Sequence, residues 1–145
     1  MSHLKYFSYP GFGEIARETT WYSQAVRIGD RIEVSGQGGW DPKTGQITPG
    51  ISYPDEIDQA FANVDLALRH AGGKGWSQVY RVNLYTTDMG EEGMGAMVRN
   101  LKSWMPDHQP VLTGVGVAQL AFPGMRIEIE VCAHLGGEDA VQKGD

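Results

Sequence analysis

The chain has a single cysteine, Cys132, among its 145 residues. An intrachain disulfide and every metal site built from several cysteines are therefore excluded. Long hydrophobic runs are also missing, since no segment approaches the roughly 18 apolar residues of a membrane span. The first residues lack the apolar core of a secretory signal. We therefore expect a cytoplasmic protein without a membrane partner.

Positive charge is sparse. Twelve Lys and Arg residues, scattered singly, face 18 Asp and Glu residues, which gives a net charge of −6. Nucleic acid is disfavoured as a partner because phosphate binding requires clustered Lys and Arg side chains. The length suits one domain, which we place at residues 1–135, and the polar, Gly-flanked residues 136–145 are predicted to form a tail.

Several site motifs are also absent. The four histidines form no HxH or HExxH pattern, so no metal site is predicted; they are His3, His70, His108 and His134. No Gly-x-Ser-x-Gly elbow of a serine hydrolase occurs. The stretch "GVGVAQ" at 114–119 has the first two glycines of a dinucleotide-binding loop and lacks the third.

The remaining patterns predict an α+β fold of order ββ-α-β-α-ββ. Residues 21–28 and 31–36 alternate as a hairpin joined at Gly29-Asp30, and "DPKTG" at 41–45 is a turn. Helices are predicted from Pro54 to Gly72 and from Glu91 to Trp104. Further strands are predicted at 78–87, 108–119 and 126–135, with an extra one near 5–9. Mixed order of this kind favours one sheet of about six strands with both helices on one face.

The alternation of residue types along the last predicted strand assigns its side chains to the two faces of the sheet. One set of side chains is aliphatic and belongs under the helices, namely Ile127, Ile129, Val131, Ala133 and Leu135. The opposite set is Glu128, Glu130, Cys132 and His134. Aromatic and aliphatic residues in "WYSQAV" and "VNLYTT" predict that this second face is also apolar, which favours a symmetric homo-oligomer.

Three features are candidates for chemistry. Ser35 to Gly39 end a strand with an amide-rich segment that suits either an anion or a plain glycine turn. Tyr22 is either a hydrogen-bond donor or a core aromatic. Glu128 is either a surface ion-pair partner or, if its face is buried between subunits, a general acid or base with a raised pKa.

Several motifs together resemble the reactive intermediate deaminase family, RidA/YjgF, also called L-PSP endoribonuclease-like. They are "YSQAVRIGDRIEVSGQ", "DPKTG", the helix ending "AGG", "RVNLYTTDM", the Pro110–Leu120 run and "IEIEVCA". The resemblance implies a chorismate-mutase-like fold and a homotrimer packed around a central barrel, with clefts between subunits. It also implies hydrolysis of imines or enamines such as 2-aminoacrylate to 2-keto acids and ammonia, without a cofactor.

The resemblance also implies the site. Tyr22 matches the family's tyrosine, Ser35 and Gly36 match its Ser-Gly turn, and Glu128 matches the glutamate that orients the attacking water. On the other side, Thr113 and Gly114 match the backbone that follows the carboxylate-binding arginine. In this chain Leu112 replaces that arginine, and it cannot donate a bidentate hydrogen-bond pair. Val98 falls near an asparagine position of the family.

Three basic residues are candidates to replace the missing charge, namely Arg126, Arg99 and Lys102. Without a replacement, the cleft is expected to bind a less charged metabolite. The sequence then predicts a RidA-like imine or enamine hydrolase, or a tautomerase, outside the standard 2-imino acids. A non-catalytic binding or chaperone-like trimer is the alternative, and endoribonuclease activity is a third reading that the acidic balance disfavours.

Overall fold

Residues 1–136 are described here from a computed structural model. They form one six-stranded sheet and three α-helices. In chain order the elements are β1 (Lys5–Phe7), α1 (Phe12–Thr19), β2 (Ala25–Ile28), β3 (Arg31–Gln37), α2 (Tyr53–His70), β4 (Val79–Thr86), α3 (Glu91–Trp104), β5 (Val111–Gly116) and β6 (Ile127–His134), with a 3-10 turn at Gly75–Gln78. The predicted tail lies outside the described residues apart from Gly136.

The strand order across the sheet is β1-β2-β3-β6-β4-β5. All neighbouring strands are antiparallel except β4 and β5, which are parallel because α3 crosses between them. The last strand therefore lies in the centre, and the strand that carries Leu112 lies at one edge. The mixed α+β sheet and the hairpin at Gly29-Asp30 are confirmed.

The core lies between the sheet and α2. Ile127, Ile129, Val131 and Ala133 are almost fully buried, as the alternation of β6 predicts. Ser52 caps α2 by accepting a hydrogen bond from the Asp55 backbone N–H at 3.2 Å. α2 packs against β3, β6 and α3, so both predicted helices are confirmed.

The number of helices predicted from the sequence was wrong, because α1 adds a third. This eight-residue helix has no side-chain cap, and its N-cap is Gly11 with a φ of 86°. It is held by tertiary contacts that a sequence pattern does not show. The Phe12 N–H donates to the Pro42 carbonyl at 2.8 Å, and the buried Phe12 ring lies 4.5 Å from Trp40. Burial of a ring of this size contributes about 1.5–3 kcal/mol.

The second face of the sheet also differs from the expectation, since its centre is polar. Cross-strand neighbours there pair Glu33 with Cys132, and Asn83 with Glu130. Exposed apolar side chains lie instead near the two edges, namely Tyr6 and Trp21 at one side and Val111 and Val115 on β5 at the other. The case for self-association therefore rests on the edges of the sheet.

Candidate functional site

Glu128 lies near the start of β6, on the face away from the helices. It is half-buried, and its carboxylate has no hydrogen-bond or ion-pair partner among residues 1–136. Desolvation by burial raises its pKa, and the negative charge of Glu130 on the same face adds to the rise. A carboxylate in this state exchanges protons more readily near neutral pH than an ordinary glutamate.

A β-bulge in β3 lies beside Glu128. Val34 pairs with Val131 and Gln37 with Ile129, so Ser35 and Gly36 together oppose Glu130. The Ser35 hydroxyl donates to the Ser23 carbonyl at 2.7 Å, which fixes the bulge against the chain before β2. A Cβ atom on Gly36 would lie 2.1 Å from Glu128 Oε1, so only glycine lets the carboxylate approach.

Tyr22 completes this group at the end of the segment that follows α1. Desolvation by burial raises the pKa of the Tyr22 phenol, and the charge of Glu128 raises it further, so the phenol stays protonated at neutral pH. Tyr22, Ser35, Gly36 and Glu128 line one concavity of about 340 Å³. Its remaining walls are Thr20, Trp40, Ala121, Phe122 and Met125, which make it largely apolar.

The glycines after the bulge have packing roles. A Cβ atom on Gly39 would lie 2.2 Å from the Glu56 carbonyl oxygen, and one on Gly38 would lie 2.7 Å from Trp40 and Met125. The Asn63 amide donates to the carbonyls of Gly38 and Trp40, both at 2.8 Å. These contacts account for the glycines through close packing against α2 and favour that reading over an anion-binding loop.

Glu130 forms a cluster that the sequence patterns did not identify. Its Oε1 accepts hydrogen bonds from the Tyr85 hydroxyl at 2.6 Å and from the Asn83 amide at 3.0 Å. These donors stabilise the charge that raises the pKa of Glu128. The signal was present in "VNLYTT" as alternate polar residues, but only the register of β4 against β6 shows that they meet Glu130.

The other candidate residues lie on the edge strand β5, apart from this concavity. Leu112 pairs with Val82 and Gly114 with Leu84, so both share the helix-covered face, whereas Thr113 pairs with Asn83 on the opposite face. Leu112 is 42% exposed. It lines a groove of about 640 Å³ together with Val98, Leu101 and Lys102 of α3.

The three candidate replacement cations differ in their surroundings. The Arg126 guanidinium is bound to the fully buried Glu56 carboxylate at 2.7 Å and to the Ile51 carbonyl at 2.9 Å. Arg99 pairs with Asp58 at 2.9 Å. Only Lys102 shares the groove with Leu112 and has no ion-pair partner within the described chain. The Arg126 guanidinium is therefore engaged in the ion pair that links α2 to the sheet.

Other classes of site gain no support. Within residues 1–136, no three His, Cys, Asp or Glu side chains are grouped to hold a metal ion. None of the helices in that range is both long and apolar enough to span a membrane. Desolvation raises the pKa of the Cys132 thiol, so it is poorly suited to be a nucleophile.

Comparisons with known proteins agree with these features. The family model described as Endoribonuclease L-PSP matches residues 15–135. A 2-iminobutanoate/2-iminopropanoate deaminase of Rattus norvegicus is 35% identical over 115 residues, covering 79% of this chain and 80% of that protein. A RutC family protein of Aquifex aeolicus is 31% identical, covering 77% of this chain and 86% of the relative.

The likeness extends to three dimensions. The crystal structure of RidA from an Antarctic Psychrobacter species superposes with a TM-score of 0.68 at 29% identity, covering 78% of this chain and 87% of that one. The match of the family model runs from within α1 to the end of β6 and includes the strands that carry Glu128 and Leu112. The chain therefore belongs to the Endoribonuclease L-PSP family, to which the RidA proteins also belong.

Proposed function

We propose that this protein hydrolyses a small imine or enamine in a cleft formed between two copies of the chain. The proposal follows the family resemblance, which implies a homotrimer. Two features of one chain support it. The concavity beside Glu128 and the groove beside Leu112 are separate, and the groove leaves Val98 and Leu112 exposed at the β5 edge of the sheet. An edge strand such as β5, with all six residues exposed, is normally covered in an assembly.

The observation that carries the proposal is the Glu128 carboxylate. It is half-buried, has a raised pKa and lacks any hydrogen-bond partner within residues 1–136, yet Gly36 leaves room for it. This carboxylate is therefore available to a small molecule that enters the concavity. A water molecule or a substrate N–H is the partner that the concavity admits.

The chemistry follows from this placement. Glu128 accepts a proton from a water molecule as the water oxygen bonds to the carbon of the C=N group. Glu128 returns this proton to the nitrogen, which gives a carbinolamine. Glu128 then takes the hydroxyl proton and passes it to the same nitrogen as the C–N bond breaks and the C=O bond forms, so a carbonyl compound and ammonia leave. Tyr22 keeps its proton and donates a hydrogen bond to the polar end of the substrate, with the Ser35–Gly36 backbone beside it. Thr113 and Gly114 bind the far end from the neighbouring copy.

Leu112 determines the class of substrate. A carboxylate placed against it loses a charge-assisted bond worth about 1.5–3 kcal/mol, and its desolvation is left uncompensated. Val98 and Leu101 extend the apolar wall. The preferred substrate is therefore an imine or enamine that lacks a carboxylate, in contrast to the 2-imino acids in the names of the deaminase relatives.

The substrate class is tested by two imines made in place. An amino acid oxidase acting on alanine releases 2-iminopropanoate, and a flavin amine oxidase acting on a short alkylamine releases an imine without a carboxylate. The rate of ammonia release above spontaneous hydrolysis is then compared for the two. We expect kcat/KM to be at least about tenfold higher for the uncharged imine. A clear preference for 2-iminopropanoate would overturn the assignment.

Gly36→Ala tests the approach of Glu128 to the bulge. The added methyl group would overlap Glu128 Oε1, so the carboxylate must move away. We expect imine hydrolysis to fall by about 10-fold to 100-fold, since displacement of a catalytic group by about 1 Å has effects of this order. Gly95→Ala is the matched control because its Cβ meets open space on α3. Unchanged hydrolysis by Gly36→Ala would contradict the role of the bulge.

The alternative is a binding or chaperone-like oligomer without chemistry, and the loss of the arginine at Leu112 is the observation that favours it. A thermal-shift screen of small metabolites separates the two functions. A ligand that binds in a Glu128-dependent manner and is released unchanged supports the binding module. Endoribonuclease activity, which the family description names, is disfavoured by the net charge of −6.

A further inference from the structure

A third concave surface lies at the edge of the sheet opposite β5. Its walls come from the N-terminal segment and β1, from the hairpin turn at Gly29, and from the C-terminal end of α2, and its volume is about 850 Å³. Five strand spacings separate β1 from β5, or about 24 Å. The surface, which we call the β1 groove, is therefore distinct from the groove beside Leu112.

Among residues 1–136, four basic side chains and no acidic one line the β1 groove. These are His3, Lys5, Arg27 and His70. The concentration is unexpected on a chain with a net charge of −6, and the four residues come from three separate segments of the sequence. His70 on its own is explained by the negative end of the α2 dipole, but that dipole does not account for the other three.

Lys5 and Arg27 face each other directly across the β1–β2 ladder. Like charges at directly opposed positions destabilise a strand pair. Four of the arginines have an acidic partner, whereas Arg27, like Arg31 and Arg81, has no ion pair among the described residues. The Arg27 Nε–H donates to the Gly29 carbonyl at 3.1 Å, which holds the guanidinium at the groove.

The Nη2 nitrogen of the Arg27 guanidinium provides an independent observation. This nitrogen is buried and has no hydrogen-bond partner in the part of the chain that the structure describes. A buried guanidinium N–H without an acceptor costs about as much as a lost charge-assisted hydrogen bond, so a buried donor of this kind is normally satisfied. The neighbouring ring of Phe7, with Lys5 Nζ 5.4 Å above it, offers no oxygen acceptor.

We infer that the β1 groove binds an oxyanion with the charge and shape of a phosphate group, held by Arg27 and Lys5. A phosphate accepts hydrogen bonds from the guanidinium in a forked geometry, and it also relieves the repulsion between Lys5 and Arg27. Both inorganic phosphate and a phosphate monoester supply this chemistry. The site is independent of the proposed imine chemistry.

The test is an amide-shift titration of the full chain with inorganic phosphate and, separately, glycerol 3-phosphate. We expect saturable shifts at 3–7, 27–29 and 70–72, and tighter binding of whichever compound is the natural source. Arg27→Lys retains the charge and removes Nη2, so its Kd is expected to rise by about tenfold. Lys5→Gln, on an edge strand, provides a second variant if Arg27→Lys does not fold.

Lys43→Gln is the matched control, since it removes one exposed positive charge outside the groove. It should leave the phosphate Kd within about twofold of the wild-type value. The inference is overturned if chloride at the same ionic strength produces the same shifts. It is also overturned if Arg27→Lys and Lys5→Gln bind phosphate as tightly as Lys43→Gln.

Discussion

Glu128→Gln is expected to lower kcat/KM for imine hydrolysis by about 10²–10⁴-fold, the usual contribution of a general base. The amide keeps the size of the side chain and cannot accept a proton from water. Ammonia release from the uncharged imine measures the effect. Glu92→Gln, an exposed carboxylate in the first turn of α3, should retain the wild-type rate. A Glu128→Gln variant with more than about a tenth of wild-type activity would show that Glu128 is not the general base.

The same variant distinguishes lost chemistry from lost folding. The folded state raises the pKa of Glu128 above its ordinary value of 4.5, so the ionised carboxylate disfavours folding once the pH exceeds that value. Glu128→Gln should therefore unfold at a slightly higher temperature than wild type at pH 8. Below pH 4.5 the carboxyl is protonated in both states, and the difference should disappear.

Leu112→Arg is expected to raise kcat/KM for 2-iminopropanoate by about 10-fold to 150-fold, the equivalent of one charge-assisted pair. The side chain lies at an exposed edge, so the longer residue fits without displacing the core. Hydrolysis of the uncharged imine should fall at the same time, because the guanidinium replaces part of the apolar wall with a charged group. Leu112→Met lengthens the side chain without adding a charge and should leave the preference as in wild type.

Other outcomes would point elsewhere. If wild type already hydrolyses 2-iminopropanoate efficiently and Leu112→Arg adds nothing, another cation holds the carboxylate. Lys102 is the residue to test next, since it lines the groove with Leu112, whereas Arg126 is bound to the buried Glu56.

The sequence predicted the elements with strong periodicity and missed those that depend on contacts between distant segments. The bounds of α3 agree with the prediction at both ends, and the burial of β6 follows its alternation. The helix α1 was missed because it is stabilised by contacts with distant segments, such as that between its Phe12 and Trp40. The two faces of β6 could be assigned, but the polar partners on its open face come from β3 and β4, whose register no local pattern contains.

The site divides in the same way. Tyr22, Ser35, Gly36 and Glu128 were selected from the sequence, and the structure brings them together around one concavity. Leu112 and Gly114 were selected with them and lie on the edge strand β5, where Leu112 lines a separate groove. The distance across the sheet between Leu112 and Glu128 follows from the strand order, which places β5 at the edge and β6 in the centre. A single chain therefore contains both parts of the proposed cleft without joining them.

The most direct test of the shared cleft is activity in mixed oligomers of two inactive variants. Glu128→Gln removes the proton acceptor, and Gly114→Trp fills the β5 side, where an added side chain meets open space within one chain. If each cleft combines Glu128 of one copy with β5 of the next, random mixing in a cyclic trimer restores about a quarter of the clefts. We expect the coexpressed mixture to recover about a quarter of the wild-type ammonia release. A mixture no more active than the two variants assayed separately would contradict it.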